Sequence, residues 1–137
     1  MTYMSKLIIY TDGGSRGNPG PAGAGAIIYN ENQKVVAEIS EYLGVTTNNQ
    51  AEYRAILAAI KKAVALKATE VQFYMDSELA VKQLNREYKV KNKDLASLFL
   101  AIYNLTLSFK KISFTHIPRD RNQEADRLAN EAMDWGR

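Results

Sequence analysis

The sequence predicts an α/β domain on a mixed five-stranded sheet: the first three strands form an antiparallel meander, the last two run parallel to the first, and helices cover both faces. Three observations carry this. Three apolar runs of strand length open the chain, separated only by turn-like segments, before any helical pattern appears. From "TTNNQ" (46–50) the apolar period changes to that of a helix. The remainder alternates strand, two helices, strand and helix, and such crossovers join parallel strands.

The elements follow in order. "KLIIYTD" (6–12) is a near-continuous apolar run, as expected of a buried strand. A Gly/Pro/Ser-rich loop follows, and then "AGAIIYN" (24–30) and "KVVAEISEYL" (34–43), divided by the turn "ENQ", read as a hairpin. Tyr53, Ile56, Leu57, Ile60 and Val64 form one helical stripe, with Thr47 or Asn48 as the N-cap. "EVQFYMD" (70–76) is the fourth strand and "SELAVKQLN" (77–85) a helix capped by Ser77. "KDLASLFLAIYNLTLSF" (93–109) is a strongly apolar helix beginning near Asp94, and "KKISFTHI" (110–117) is the last strand. "NQEADRLANEAMDW" (122–135) closes as a helix with Ala125, Leu128, Ala129, Ala132 and Met133 on one face.

The 137 residues, 46% hydrophobic and 24% charged, suit one globular domain over 1–137 rather than a disordered chain. No apolar run approaches the roughly 18 residues of a membrane span, and "MTYMSKLIIYTDG" is too short for a secretory signal. Without cysteine there are no disulfides or thiolate metal sites; the expectation is a cytoplasmic monomer. A net charge of +3 leans towards a polyanionic partner.

Four acids stand out. Asp12 ends a strand and opens "DGGSRGNPGPAGAG", which reads either as a turn or as a ligand edge. That loop leads into a strand and lacks a Gly-Lys-Ser/Thr ending, so it is no phosphate-cradling loop; its glycines fit backbone lying close to something large. Asp76 repeats the pattern, either capping a helix or sharing a crevice with Asp12 at the C-terminal ends of adjacent parallel strands. Glu52 and Asp126 each lie early in a helix, favourable against the helix dipole and also bordering the buried stripe.

The segments "YTDGGSRGNPGPAGAG", "TTNNQAEYRAI", "FYMDSELAVKQLN" and "NQEADRLAN" resemble, in order and spacing, the four motifs of type 1 ribonuclease H, over about residues 6 to 133. "DSELAVKQLNREYKVKNKDL" resembles the compact archaeal and bacterial form, without the hybrid-binding domain or the basic insertion. The resemblance implies a ribonuclease H-like fold and an endoribonuclease that hydrolyses the RNA strand of RNA/DNA hybrids, leaving 5′-phosphate and 3′-hydroxyl ends. It implies two Mg²⁺ ions, with Mn²⁺ able to substitute, on Asp12, Glu52, Asp76 and Asp126, with the Gly13 backbone nearby. All-oxygen ligands suit Mg²⁺, and two ions suit an in-line displacement at an anionic phosphodiester. Crowded carboxylates should also titrate at raised, coupled values without metal.

Asn18, Asn48 and Gln50, with the backbone of Gly13 and Gly14, are the matching candidates for reading 2′-hydroxyls. Thr47 and Asn92 match members of a phosphate pocket for the DNA strand, with Val45 where some relatives carry arginine. Lys82, Arg86, Lys89, Lys91 and Lys93 form the densest positive stretch, which is either substrate-facing or a solvated helix end. Many family members carry two histidines in the loop before the last acid and use the second. Here "HIPRD" keeps the first, His116, and puts Asp120 where the second would fall. His116 is therefore expected to be a packed or hydrogen-bonded structural residue outside the site, with Arg119, Arg121 and Glu124 as supporting candidates. Double-stranded RNA shares A-like shape with the hybrid and is a possible second substrate. The rival reading is a non-catalytic module binding hybrid or double-stranded RNA on the same fold. An exonuclease- or transposase-like site would need differently spaced acids, and the first strand offers only Asp12.

Overall fold

Alternation along the first strand puts Leu7, Ile9, Thr11 and Gly13 on a buried face and Ile8, Tyr10, Asp12 and Gly14 on a half-buried one. The computed structural model of the chain describes residues 5–136. Its strands are β1 (Lys6–Ser15), β2 (Gly20–Tyr29), β3 (Val35–Thr46), β4 (Glu70–Met75) and β5 (Lys111–His116). The helices are α1 (Asn48–Ala65), α2 (Glu78–Leu84), α3 (Lys93–Thr106) and α4 (Gln123–Trp135), with a 3₁₀ turn at Arg119–Arg121. The sheet order is β3-β2-β1-β4-β5. β1, β2 and β3 pair antiparallel, while β4 is parallel to β1 and β5 to β4, as the sequence predicts.

Two boundaries differ in a way that matters. β1 runs on to Ser15 and β2 begins at Gly20, so the expected glycine loop is mostly sheet and only Arg16–Pro19 turns. Asp12 therefore does not end its strand; it lies one residue beyond the last parallel pair, Thr11 with Met75. The glycines are needed because helices press on the sheet. A methyl group at Gly25 would collide with the Ala125 carbonyl oxygen and the Ala129 amide of α4, and one at Gly13 with the Ala51–Glu52 peptide of α1. The large object these glycines accommodate is the protein's own pair of helices. Gly14 is different: the nearest atom to a methyl there is Asn48 Oδ1, 3.7 Å away.

The core lies between the sheet and α1, where Tyr53, Ile56 and Ile60 meet Ile9, Val71 and Phe73, all buried. Leu57 and Val64, the rest of the expected stripe, are half-buried at its edge. α3 packs against α1 with only Leu95 and Ile102 of its residues buried, so this apolar helix leaves Leu100 exposed, as is Leu107 at its C-cap. α4 covers the other face over β2, β1 and β3. Beside it Tyr10 stacks on Tyr74 at 5.2 Å and meets Tyr29 edge-on at 5.9 Å. Among the described residues no helix is long and apolar enough to cross a membrane.

Because the obstruction at Gly25 is helix backbone, Gly25→Ala should destabilise by about 3 kcal/mol, the upper end for overpacking, read as a lower urea midpoint at unchanged slope. A midpoint within experimental error of the parent would refute direct backbone contact there.

Candidate active site

The end of the parallel β1–β4 pairing sets the site. Asp12 and Asp76 each follow the last residue of the β1–β4 ladder, so the register sets them on neighbouring strands. Glu52 comes from α1, which the Gly13 contact draws against β1. With Thr47 as the cap, Glu52 falls in the second turn, beyond the first-turn position at which a dipole role was expected. Asp126 lies in the first turn of α4. All four half-buried carboxylates line one cavity of about 330 Å³ with Gly13, Gly14, Asn48 and Arg119.

Electrostatics follow from this crowding. Burial pushes Asp12 up to about 8, helped by the Asp76 charge, a hydrogen bond with Asp126 and the charges of Asp126 and Glu52. The Gly13 amide donates to Asp12 Oδ1 at 3.0 Å. Burial lifts Glu52 to about 7; a hydrogen bond from Ser77 and the Arg119 charge pull it down, while Asp76 pushes it up. The Arg119 guanidinium, 82% exposed, stands 3.9 Å from Asp126. No three carboxylates among the described residues form a ready-made ion cage. The all-oxygen donor set and its surplus of negative charge still fit divalent ions that keep waters and take further ligands from substrate.

The polar candidates are linked to this cavity through the hairpin turn. Asn48 is not the N-cap: its Oδ1 accepts from the Ser15 amide at 2.7 Å, and its own amide donates to Asn18 Oδ1 at 3.1 Å. Thr47 caps α1 by accepting from the Gln50 amide at 3.2 Å. Gln50 Oε1 accepts from the Thr46 hydroxyl at 2.7 Å, and its amide donates to Asp94 at 3.5 Å. Asn92 caps α3, accepting from the Asp94 and Leu95 amides. Thr47 and Asn92 thus stand at two helix N-termini joined by the Gln50–Asp94 contact, with Val45 70% exposed nearby in sequence. Lys89 and Lys91 are exposed between α2 and α3, away from the acid cavity.

The supporting candidates separate. Arg119 lines the acid cavity, whereas Arg121 and Glu124 line a different groove of about 570 Å³ against Tyr10 and Tyr29. Two residues along a helix rotate a side chain by roughly 200°, so Glu124 points away from Asp126. Glu124 instead accepts from Arg127 at 2.9 Å. His116 is outside the acid cavity, as expected, but it is exposed rather than packed. It ends the edge strand β5 opposite Met75. Sequence reasoning missed two polar neighbours of the acids: Ser77, read only as a cap, and Asn122, whose amide reaches Asp76.

A family model described as "Reverse transcriptase-like" matches residues 10–132. The chain is 48% identical over 130 residues to "Bifunctional protein Rv2228c" of Mycobacterium tuberculosis, covering 94% of this chain and 36% of that protein. It is 36% identical over 151 residues to "Ribonuclease H" of Francisella philomiragia, covering 96% of this chain and 93% of the relative. The chain belongs to the ribonuclease H family. Among solved structures, the N-terminal ribonuclease H domain of Rv2228c superposes with TM-score 0.92 at 48% identity, covering 94% and 99% of the two chains. LC11-RNase H1, solved in complex with an RNA/DNA hybrid, superposes with TM-score 0.89 at 44% identity, covering 93% and 96%. The chain spans about a third of the length of the mycobacterial relatives it matches, and in this ribonuclease H fold all four acids come from that shared portion.

The raised carboxylates fix the sign of a pH dependence. Above about pH 4 the metal-free folded state holds protons that the unfolded chain has released, on Glu52 up to about pH 7 and on Asp12 up to about pH 8. Their contribution to stability is complete below about pH 4 and lost as pH rises through about 7 to 8. Without divalent ions, Asp12→Asn should therefore gain melting temperature on the parent as pH rises from 5 to 8.5. Parallel melting curves at both pH values would show that Asp12 ionises normally.

Proposed function

We propose that the chain is an endoribonuclease that hydrolyses the RNA strand of RNA/DNA hybrids with two divalent ions, leaving 5′-phosphate and 3′-hydroxyl ends. The observation that carries this is the convergence of Asp12, Glu52, Asp76 and Asp126, from four elements, on one cavity. The hybrid complex of LC11-RNase H1 supports the substrate class. A binding-only module is disfavoured by charge: a cavity lined by four carboxylates repels a polyanion unless cations intervene. One chain supplies all four acids, which supports action as a monomer.

The four carboxylates would hold two Mg²⁺ ions, with Mn²⁺ as a substitute. When bound, the ions lower the pKa of the attacking water and stabilise charge on the leaving oxygen. The chain's own groups do the rest. Asp12 and Glu52 give up protons as cations bind. Asn18, Asn48, Gln50 and the Gly14 backbone read the 2′-hydroxyls, and no backbone of a neighbouring helix presses on Gly14 as it does on Gly13 and Gly25. The Asn48–Ser15 and Asn48–Asn18 bonds fasten that edge to the start of the helix bearing Glu52, so recognition and chemistry share one rigid support. Thr47 and Asn92 offer the DNA strand two helix N-termini, where backbone amides favour phosphate. Lys89 and Lys91 add longer-range attraction, and double-stranded RNA is a secondary substrate of similar shape. Arg119 is the residue placed to handle the product phosphate. Its contact with Asp126 is exposed and weak, so it is free to swing to an incoming anion.

The test is incubation of a labelled hybrid with Mg²⁺ or Mn²⁺. The parent should cleave only the RNA strand, and Asp12→Asn and Asp76→Asn should each lower kcat by about 100-fold or more, from the loss of several kcal/mol of charge stabilisation. Arg119→Ala should lower kcat by about tenfold, the scale of one charge-assisted hydrogen bond, while Arg121→Ala leaves it unchanged. Tight hybrid binding without cleavage by the parent would establish the binding module instead.

A further inference from the structure

Position 122 immediately precedes α4, where asparagine is among the best capping residues. Its side chain does not cap the helix; Asn122 makes no side-chain bond to the first-turn amides. It turns inward, leaving the residue 1% exposed. Its Nδ2 donates to Asp76 Oδ2 at 2.8 Å and to the Thr11 carbonyl at 2.9 Å. Both partners are acceptors, so they fix which way the amide faces. Its Oδ1 is buried without a hydrogen-bond partner. Forgoing a cap and burying an unpaired acceptor both oppose folding, so stability alone gives no reason for this arrangement.

We propose that Asn122 is a positioning residue that locks the Asp76 carboxylate relative to Asp12. One amide group ties Asp76 to Thr11, the residue directly before Asp12, across the point where the β1–β4 pairing has ended. Beyond that point the ladder no longer sets the spacing of the strands, and the Asn122 amide supplies the missing cross-strand tie. One donor holds Oδ2 of Asp76 and the other the Thr11 carbonyl, leaving Oδ1 of Asp76 for a cation. Because Asn122 also starts the helix that bears Asp126, the same contact carries the position of Asp126 to the Asp12–Asp76 pair. Outer partners that orient ligating carboxylates typically change metal affinity or activity by about 10- to 100-fold when removed.

This inference rests on the reading of the four acids as the metal and substrate site. Asn122→Ser separates positioning from folding, because serine can cap α4 but lacks the amide that reaches Asp76. The variant should melt at or above the parent temperature. Its Mn²⁺ affinity, measured by calorimetry without substrate, should fall about tenfold, and its kcat should fall about tenfold with the KM for hybrid within twofold. A folded Asn122→Ser with Mn²⁺ affinity and kcat within twofold of the parent would overturn the proposal and leave the amide as a fastener of α4. Should that variant not fold, the parent decides by NMR: the Asn122 side-chain amide resonances should move with the Mg²⁺ titration, and unmoved resonances reject the tie. A parent that neither binds Mn²⁺ nor cleaves hybrid sinks the functional reading, and the positioning role with it.

Discussion

Four carboxylates held within one small cavity repel one another, and much of the molecule exists to keep them there. The β1–β4 ladder stops directly before Asp12 and Asp76 and so sets them on neighbouring strands, with the Asn122 amide joining the strands beyond it. The helices then add one acid each from opposite faces of the sheet: α1 brings Glu52 and α4 brings Asp126. In the absence of cations the cavity relieves its repulsion by holding protons, on Asp12 above all. A site that strains towards neutrality in this way is poised to exchange protons for metal ions, which is what the proposed chemistry needs.

Bringing two helices close enough to deliver acids requires a sheet with little side-chain bulk at the contact. Gly13 on the α1 side and Gly25 on the α4 side allow helix backbone to rest on strand backbone. Around them Ala22, Ala24, Ala26, Ala51, Ala125 and Ala129 are all buried. Larger apolar residues, Ile9, Val71 and Phe73, sit further from the acids and fill the core that anchors this thin region. The acid end of the domain is thus set by close backbone approach, and the remainder by side-chain packing.

This division explains what the sequence could convey. Periodicity located β4, β5 and α1 because their apolar faces repeat cleanly, and the element order then determined the topology. It failed at Gly13–Ser15 and Gly20–Gly23, since glycine and proline spell a loop in any local reading, whereas both stretches pair across the sheet. It failed again at His116, where an apolar strand implied packing but the strand is an edge that leaves the histidine exposed. Glu124 was misplaced because a two-residue offset in sequence says nothing until the helix phase relative to Asp126 is known. Asn122 was invisible for a subtler reason. An asparagine before a helix announces a cap, and its reach to Asp76, 46 residues away in sequence, exists only once the chain has folded.

The separation of charge across the domain carries the last step. The chain has a net charge of +3 although its proposed catalytic cavity is strongly acidic. Cations must therefore lie elsewhere, and the exposed Lys89 and Lys91 between α2 and α3, outside the acid cavity, are two of them. On the proposed reading these lysines attract the duplex through its phosphates while the acid cavity admits it only through bound metal. Screening weakens the first effect within a Debye length of about 8 Å at physiological salt, but acts far less on the half-buried acids. Added salt should consequently loosen the grip on substrate well before it alters the chemistry at the bond. On the proposed reading the grip on the duplex therefore lies mainly away from the cavity, whose own cationic lining side chains, Arg16 and Arg119, are left to meet the phosphate at the bond that is cut.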